Sequence, residues 1–435
     1  MTGAKGPSGD RRLGFWASWA LTTGCMIGSG VFTLPAVLAP YGLVSFGGWI
    51  VSAAGALALA LSFASLAART RESGGPYAYT RAAFGDLAGF VIGWGFWVSY
   101  VIAVPAIAVA FAGYLPVFAP ALAGGGAGEV LAAFAIILVL TAVNLRGVKE
   151  MGAVQIATTL LKIAPLLAVA ALGLAAGENA NLPEANPKAE PLPAALAATA
   201  LLTLWAFTGF EAGAVAASDV KDPESTIPRA LVVGMLTVAF VYLAATYAVM
   251  RLVPADELAR SSAPFADAAR AFGPGGSALV AAGALVATAG ALNGVIFVCG
   301  QALTALARDG LAPAPFARFN AGGAPAPAVI LSSGLGCLLL LANYAGGPIN
   351  AFKFLVNMSV VAILLPYLVC ALANLLGSGR SAFSRLVSLA GIAFSLFAIA
   401  GSGLEAGLWG AVLLAAGLPV YALQRLRARQ PAPPL

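Results

Sequence analysis

Thr22-Thr23-Gly24-Cys25-Met26-Ile27-Gly28-Ser29-Gly30-Val31-Phe32-Thr33-Leu34-Pro35 is the stretch on which the fold turns. It lies inside a run from Leu13 to Ala68 that holds no Asp, Glu, Lys or Arg, and such a run reads as membrane-spanning. Its middle carries Gly28-Ser29-Gly30, with Pro35 just beyond. Glycine weakens a helix, and proline removes a donor and crowds the preceding turn. In lipid a broken helix survives only where its freed backbone groups meet protein, water or a ligand. Two readings follow. The break offers amides and a half-helix N-terminus to an anion such as a carboxylate, or the small residues only let helices pack closely.

Composition carries the reading outward. The 435 residues are 60% hydrophobic and 9% charged, the balance of a polytopic membrane protein. The net charge of +6 sits largely in short loops, where basic residues set topology and do not call for nucleic acid. There is no histidine, which removes the commonest metal ligand and the usual near-neutral titrating group. Cys25, Cys299, Cys337 and Cys370 lie in apolar segments without CxxC spacing, so no metal site, cofactor or disulfide framework is expected. The polar N-terminus, Met1 to Arg12, precedes an apolar stretch too long for a signal-peptide core and is read as leading into a retained first span.

Cutting at charged and Gly/Pro-rich breaks gives about twelve spans: 13–39, 43–67, 87–117, 129–145, 152–176, 192–217, 230–250, 276–306, 326–344, 350–376, 386–402 and 406–424. Of the 23 basic residues, 17 then fall on one side and four, Lys188, Arg251, Arg260 and Arg270, on the other. That asymmetry puts both termini in the cytoplasm. The loop segment 263–272 reads as a short amphipathic helix on the outer surface or an ordered loop cap, and 426–435 as a cytoplasmic tail.

Span six repeats the theme of span one. Leu202-Thr203-Leu204-Trp205-Ala206-Phe207-Thr208-Gly209-Phe210-Glu211-Ala212-Gly213 is a polar, glycine-flanked centre in an apolar helix, five spans further on. An odd repeat length inverts the second copy, and paired interrupted helices point to a secondary transporter's site. The expected fold is an all-α integral membrane protein with a 5+5 inverted repeat. Residues 13–176 form the first repeat, 177–376 the second and 377–425 two further helices, with tails at 1–12 and 426–435. Spans one and six are expected to be unwound.

Two ionisable side chains fall deep in the spans, Lys162 and Glu211. Buried charge in a membrane is functional by default. Glu211 can attract a cation or carry a proton, or simply cap the second half-helix. Lys162 can supply the positive charge that a sodium ion gives other transporters, bridging span five to the span-one break. Its other reading is snorkelling, which about 15 Å to the nearer edge disfavours. Trp205 is core packing or a gate whose ring can contact a cation.

These pieces, in order, resemble the amino acid–polyamine–organocation permeases, and within them the basic amino acid/polyamine antiporter branch that includes arginine/agmatine exchangers. The likeness rests on Gly28 to Phe32 with Pro35, Ser73 to Tyr79, Trp205 to Glu211, Lys221 to Ala230, Ser262 to Arg270, Asp309 to Pro313, Phe316 to Arg318 and Pro366 to Leu368. It implies a leucine-transporter-like fold, with a substrate site at Met26, Ile27, Ser29, Gly30, Trp205 and Thr208. There the α-carboxylate lies near Ser29 and Gly30, and the α-amino group near the carbonyls of Met26, Trp205 and Thr208. It also implies gating or proton-coupling roles for Trp205, Glu211, Phe96 and Tyr367, contact of Ser359 with the substrate side chain, an inner-membrane location and, as is common in the family, a homodimer. Where arginine exchangers carry Asn, Asn and Trp, this chain has Cys25, Val104 and Val295. Phe96 replaces a tyrosine and Lys162 an apolar residue.

That less polar pocket leads to the expectation of a sodium-independent amino acid permease or exchanger working by alternating access. It would be proton-linked or an antiporter, with neutral amino acids as substrates. The alternative is a cationic arginine/agmatine-type antiporter. A membrane enzyme would need a nucleophile–base pair or metal cluster, neither of which is visible. A channel would need rings of charge or a carbonyl filter.

Overall fold

In the computed structural model, residues 14–69, 75–122, 126–146, 152–211, 220–343 and 347–428 are described. They are helices joined by turns and 3-10 segments. Ten helices are long and apolar enough to cross a membrane, and the bent pair at the N-terminus makes an eleventh. The expected twelfth is span six. Its first part is Leu192–Phe207, a shorter apolar helix, and its continuation at 212–219 lies outside the described residues. So do Ser73, Gly74, Ala212 and Gly213, the 1–12 tail and the end of the 426–435 tail. The protein is an all-helical, multi-pass membrane protein.

Span one is two helices, Phe15–Met26 and Ser29–Leu38, meeting at 41°. The break is the pair Ile27 (φ −75°, ψ 97°) and Gly28 (φ −143°, ψ −137°). It therefore falls one residue earlier than the Gly-Ser-Gly centre, and Ser29 already opens the second half. Pro35 does not end that half. It lies inside Ser29–Leu38, and the Tyr114 hydroxyl donates to the Phe32 carbonyl, 2.7 Å, in the turn that the proline crowds.

The second break follows Phe207. Thr208 is extended (φ −63°, ψ 148°) and Gly209 has φ +102°, a conformation that favours glycine. The two breaks touch. A Cβ on Gly30 would lie 2.9 Å from Ala206 Cα, and one on Gly209 would lie 2.9 Å from the Cys25 carbonyl oxygen. Two chains come this close only because neither position has a side chain.

The remaining spans enclose this crossing. They are Val44–Ala67 (two), Asp86–Tyr114 (three), Ala127–Leu145 (four), Gly152–Ala176 (five), Pro223–Leu252 (seven), Pro274–Arg308 (eight), Ala326–Asn343 (nine), Pro348–Leu376 (ten) and Ala382–Gly401 (eleven). Span twelve, expected as one helix over 406–424, is Gly403–Ala415 followed by Leu418–Ala428. Span seven begins at Pro223, not 230, because proline suits a first helical turn. Span three packs on spans eight and ten, span two on span six, and spans five and seven on the first half of span one.

Of the two readings of the loop segment 263–272 the structure has the ordered cap, and a further helix precedes span three. The segment 263–272 is a one-turn helix, Pro264–Ala268, and a 3-10 turn, Ala269–Phe272. It is wedged in, not laid on the surface. Phe265 is fully buried, edge-on to Phe32 at 5.4 Å, and its N–H donates to the Tyr114 hydroxyl at 3.3 Å. Between spans two and three the chain forms a nine-residue helix, Pro76–Phe84, that span-cutting does not reveal. Its Arg81 bridges Asp86 at 2.8 Å and Asp309 at 2.6 Å, and Arg425 also pairs with Asp86.

Candidate substrate site

The crossing of the two breaks gathers most of the residues singled out in the sequence. Ser29 is buried at the start of the second half-helix, and the Trp205 indole N–H points to its Oγ at 3.4 Å. Ile27 is fully buried and Met26 nearly so. The Met26 carbonyl accepts from Tyr242 at 2.8 Å, and the same hydroxyl lies 3.2 Å from the Ala206 carbonyl, so span seven stitches the two breaks together. The Trp205 carbonyl accepts from Thr208 Oγ1 at 2.7 Å. The Thr208 N–H lies 3.2 Å from the same Trp205 oxygen, so that carbonyl is doubly engaged, as a carbonyl has two lone pairs. Cys25, Tyr100, Thr208 and Gly209 are partly exposed around a crossing whose other members are buried.

Lys162 points inward. It is 4% exposed, and its Nζ donates to the Gly24 carbonyl at 3.1 Å, in the last turn before the first break. A Cβ on Gly290 of span eight would lie 3.6 Å from that nitrogen. One turn earlier, Thr159 Oγ1 donates to the Ala20 carbonyl at 3.0 Å. Span five thus holds the end of the first half-helix through two side chains. The snorkelling alternative does not describe this geometry.

Glu211, 1% exposed, follows the second break. Among the described residues its carboxylate accepts from Tyr100 (2.6 Å to Oε1), from Tyr367 (3.2 Å to each oxygen) and from the Gly209 N–H (3.0 Å to Oε2). Phe96 packs on Tyr100, tilted by 41° with centroids 4.6 Å apart, while Tyr367 packs against Phe210 and Phe63 at 5.1 and 5.6 Å. The carboxylate therefore sits in an aromatic box with phenols at two of its walls.

Other expected site residues stand elsewhere. Ser359 and Ser99 are reciprocally bonded, each hydroxyl 2.8 Å from the other's carbonyl, so Ser359 pins span ten to span three. Val104 is fully buried and faces Gly336 of span nine, whose Cβ would come 2.8 Å from its Cγ1. Val295 is partly exposed on span eight. Tyr100 and Tyr242 were not singled out from sequence. Tyr100 had a signal, since it stands one helical turn from Phe96 and shares its face. Tyr242 had none.

A cavity of about 500 Å³ lies at the loop end of the molecule, apart from the crossing. It is lined by Gly113, Pro116 and Val117 of the span-three end and by Glu257, Arg260, Asp267 and Arg270 of the cap loop, among others. Burial raises the Asp267 carboxyl above its ordinary range, against the Ser261 hydroxyl and the Arg270 guanidinium, which favour its charged form.

Known proteins align with the whole architecture. The chain is 30% identical over 430 residues to the putrescine transporter PotE of Escherichia coli K12, covering 95% of this chain and 96% of that one. It is 30% identical over 429 residues to PotE of Haemophilus influenzae, with 95% and 97% covered. It is 31% identical over 411 residues to the cadaverine/lysine antiporter of Escherichia coli K12, with 91% of each covered. These relatives are transporters, not enzymes. Residues 13–421 match the model of the amino acid permease family, and the chain belongs to that family.

Proposed function

We propose that the protein is a sodium-independent antiporter that exchanges a cationic amino acid or a diamine by alternating access. Glu211 carries the proposal: a fully buried carboxylate at a helix break, held only by hydrogen-bond donors among the described residues. Such a group suits an incoming ammonium or guanidinium, because an opposite charge in a low-dielectric site is strongly favoured. The half-helix beginning at Ser29 receives an α-carboxylate where one is present, and the Met26 carbonyl, which accepts from Tyr242, receives an α-amino group on its other lone pair. A diamine presents only its cationic ends. The putrescine and cadaverine/lysine relatives agree with this reading over the neutral substrates that Cys25, Val104 and Val295 suggest from sequence. Val104 and Ser359 also lose weight as selectivity residues, since both are engaged with other spans.

The wider proposal keeps the 5+5 inverted repeat over 13–176 and 177–376, proton linkage through Glu211, termini on the cytoplasmic side of an inner membrane, and a homodimer. Lys162 takes the place of a coupling sodium ion. The neutral reading has one supporting observation. Lys162 bonds to the Gly24 carbonyl at the first break and Glu211 to the Gly209 N–H at the second, so the crossing has one basic and one acidic side chain.

Counterflow in proteoliposomes separates the two readings. Vesicles loaded with putrescine, cadaverine or lysine in sodium-free buffer are expected to take up labelled lysine or putrescine. Leucine or alanine exchange that is not competed by lysine, arginine or diamines would replace the cationic reading with the neutral one. Flux that requires sodium would remove the role given to Lys162.

A further inference from the structure

Glu211 has two oxygens, and both accept hydrogen bonds. The shortest contact is the Tyr100 hydroxyl, 2.6 Å from Oε1. The other donors are not free to leave. Gly209 contributes a backbone N–H. Tyr367 is fully buried and clasped between Phe63 and Phe210. Tyr100 is different. It is partly exposed, and its ring contact among the described residues is with Phe96. Of the two phenols on the carboxylate, Tyr100 is therefore the less tightly enclosed.

We propose that Tyr100 determines specificity: its hydroxyl holds the Glu211 carboxylate when no cationic substrate does, and a substrate ammonium or guanidinium binds by replacing that one hydrogen bond. This rests on the proposed function only in taking Glu211 as the counter-charge. Every cationic substrate then loses part of its gain in displacing the phenol, whereas a neutral side chain leaves the phenol in place. Removing the hydroxyl leaves Oε1 short of a donor in the empty carrier, and a buried charged acceptor without its partner is costly. A cation relieves that cost and a neutral substrate does not. Tyr100 is therefore a brake on cation preference, adjustable without touching Glu211.

The test uses a matched pair of ligands. Lysine and norleucine differ only in the terminal ammonium, and their affinities for the purified full-length protein are measured by titration calorimetry. In Tyr100→Phe the lysine-to-norleucine affinity ratio is expected to rise by roughly tenfold, about 1.4 kcal/mol. In a Glu211→Gln background the same substitution is expected to leave the ratio unchanged. Should Tyr100→Phe not fold, a fluorinated tyrosine at position 100 keeps the shape and makes the hydroxyl a stronger donor, and the ratio is expected to fall. An unchanged ratio, or equal weakening of both ligands, would overturn the inference and leave Tyr100 a packing residue, whether or not the wild-type protein transports lysine. A ratio that rises in Tyr100→Phe while wild-type vesicles carry no cationic substrate would uphold the inference and defeat the proposed function.

Discussion

Lys162 and Gly209 act through backbone as much as through chemistry. The lysine reaches the Gly24 carbonyl from span five, and a buried ammonium in a membrane span needs such carbonyls in place of water. In Lys162→Met the chain keeps similar bulk but loses the donor. Sodium-free uptake by proteoliposomes is expected to drop by about tenfold or more, as for loss of a charged hydrogen bond that positions the site. Wild-type rates in that variant would make the lysine a bystander. Gly209 tests the second break. At φ +102°, with a Cβ that would press to 2.9 Å on the Cys25 carbonyl, alanine is strained and crowded together. Gly209→Ala is expected to cost about 1–3 kcal/mol, read as a lowered melting temperature in detergent. An unshifted melting point would mean that the break relaxes freely.

At the scale of elements, the cap loop gives a pH prediction. Asp267 is raised above its ordinary value of 3.8, chiefly by burial. A carboxyl raised in the docked loop prefers to be protonated there, so acid favours docking. That contribution is full below the ordinary value and is lost as pH rises through the raised one. Asp267→Asn, a stand-in for the protonated form, is expected to match wild type in melting temperature near pH 4 and to exceed it increasingly as pH rises. A difference that does not vary with pH would place the control elsewhere. The cap also marks where sequence reading stopped. Both breaks were legible, because glycine and proline in an otherwise apolar helix leave few other outcomes in lipid. The long spans were legible from length alone. The burial of Phe265 was not, since it depends on Phe32 and Tyr114, far away in sequence. Nor was the helix Pro76–Phe84, whose nine residues are too few to read as a span. Glu211 and Lys162 stood out as lone charges, but their partners are ordinary tyrosines and a carbonyl. Nothing in the local pattern around Tyr242 distinguishes a donor that bridges two breaks from a packing ring.

Across the whole molecule, the two ends are closed by different physics. At the Arg-rich end, Arg81 and Arg425 tie the helix Pro76–Phe84, span three, span eight and span twelve through Asp86 and Asp309. These groups are about one-third exposed, and such pairs each contribute only about 0.2–1 kcal/mol. At the other end the closure is apolar. Phe265 is seated on Phe32, which belongs to the second half of span one, and Tyr114 bonds both sides of that contact. The cap is thus coupled to the half-helix whose N-terminus faces the site, and in the proposed alternation an opening toward the cap side would unseat Phe265. Deleting a buried phenylalanine ring typically costs about 3–5 kcal/mol. If only a third of that is lost on opening, the population open toward the cap rises by about tenfold. Cys25 reports it, because it is the partly exposed thiol at the crossing while Cys299, Cys337 and Cys370 are buried. In Phe265→Ala, labelling of Cys25 by a membrane-impermeant maleimide applied from the cap side is expected to accelerate by that factor. Labelling from the Arg-rich side is expected to slow, since one carrier cannot be open both ways. Equal acceleration from both sides would mean that the ring only stabilises the fold, and that the cap is not part of the alternation.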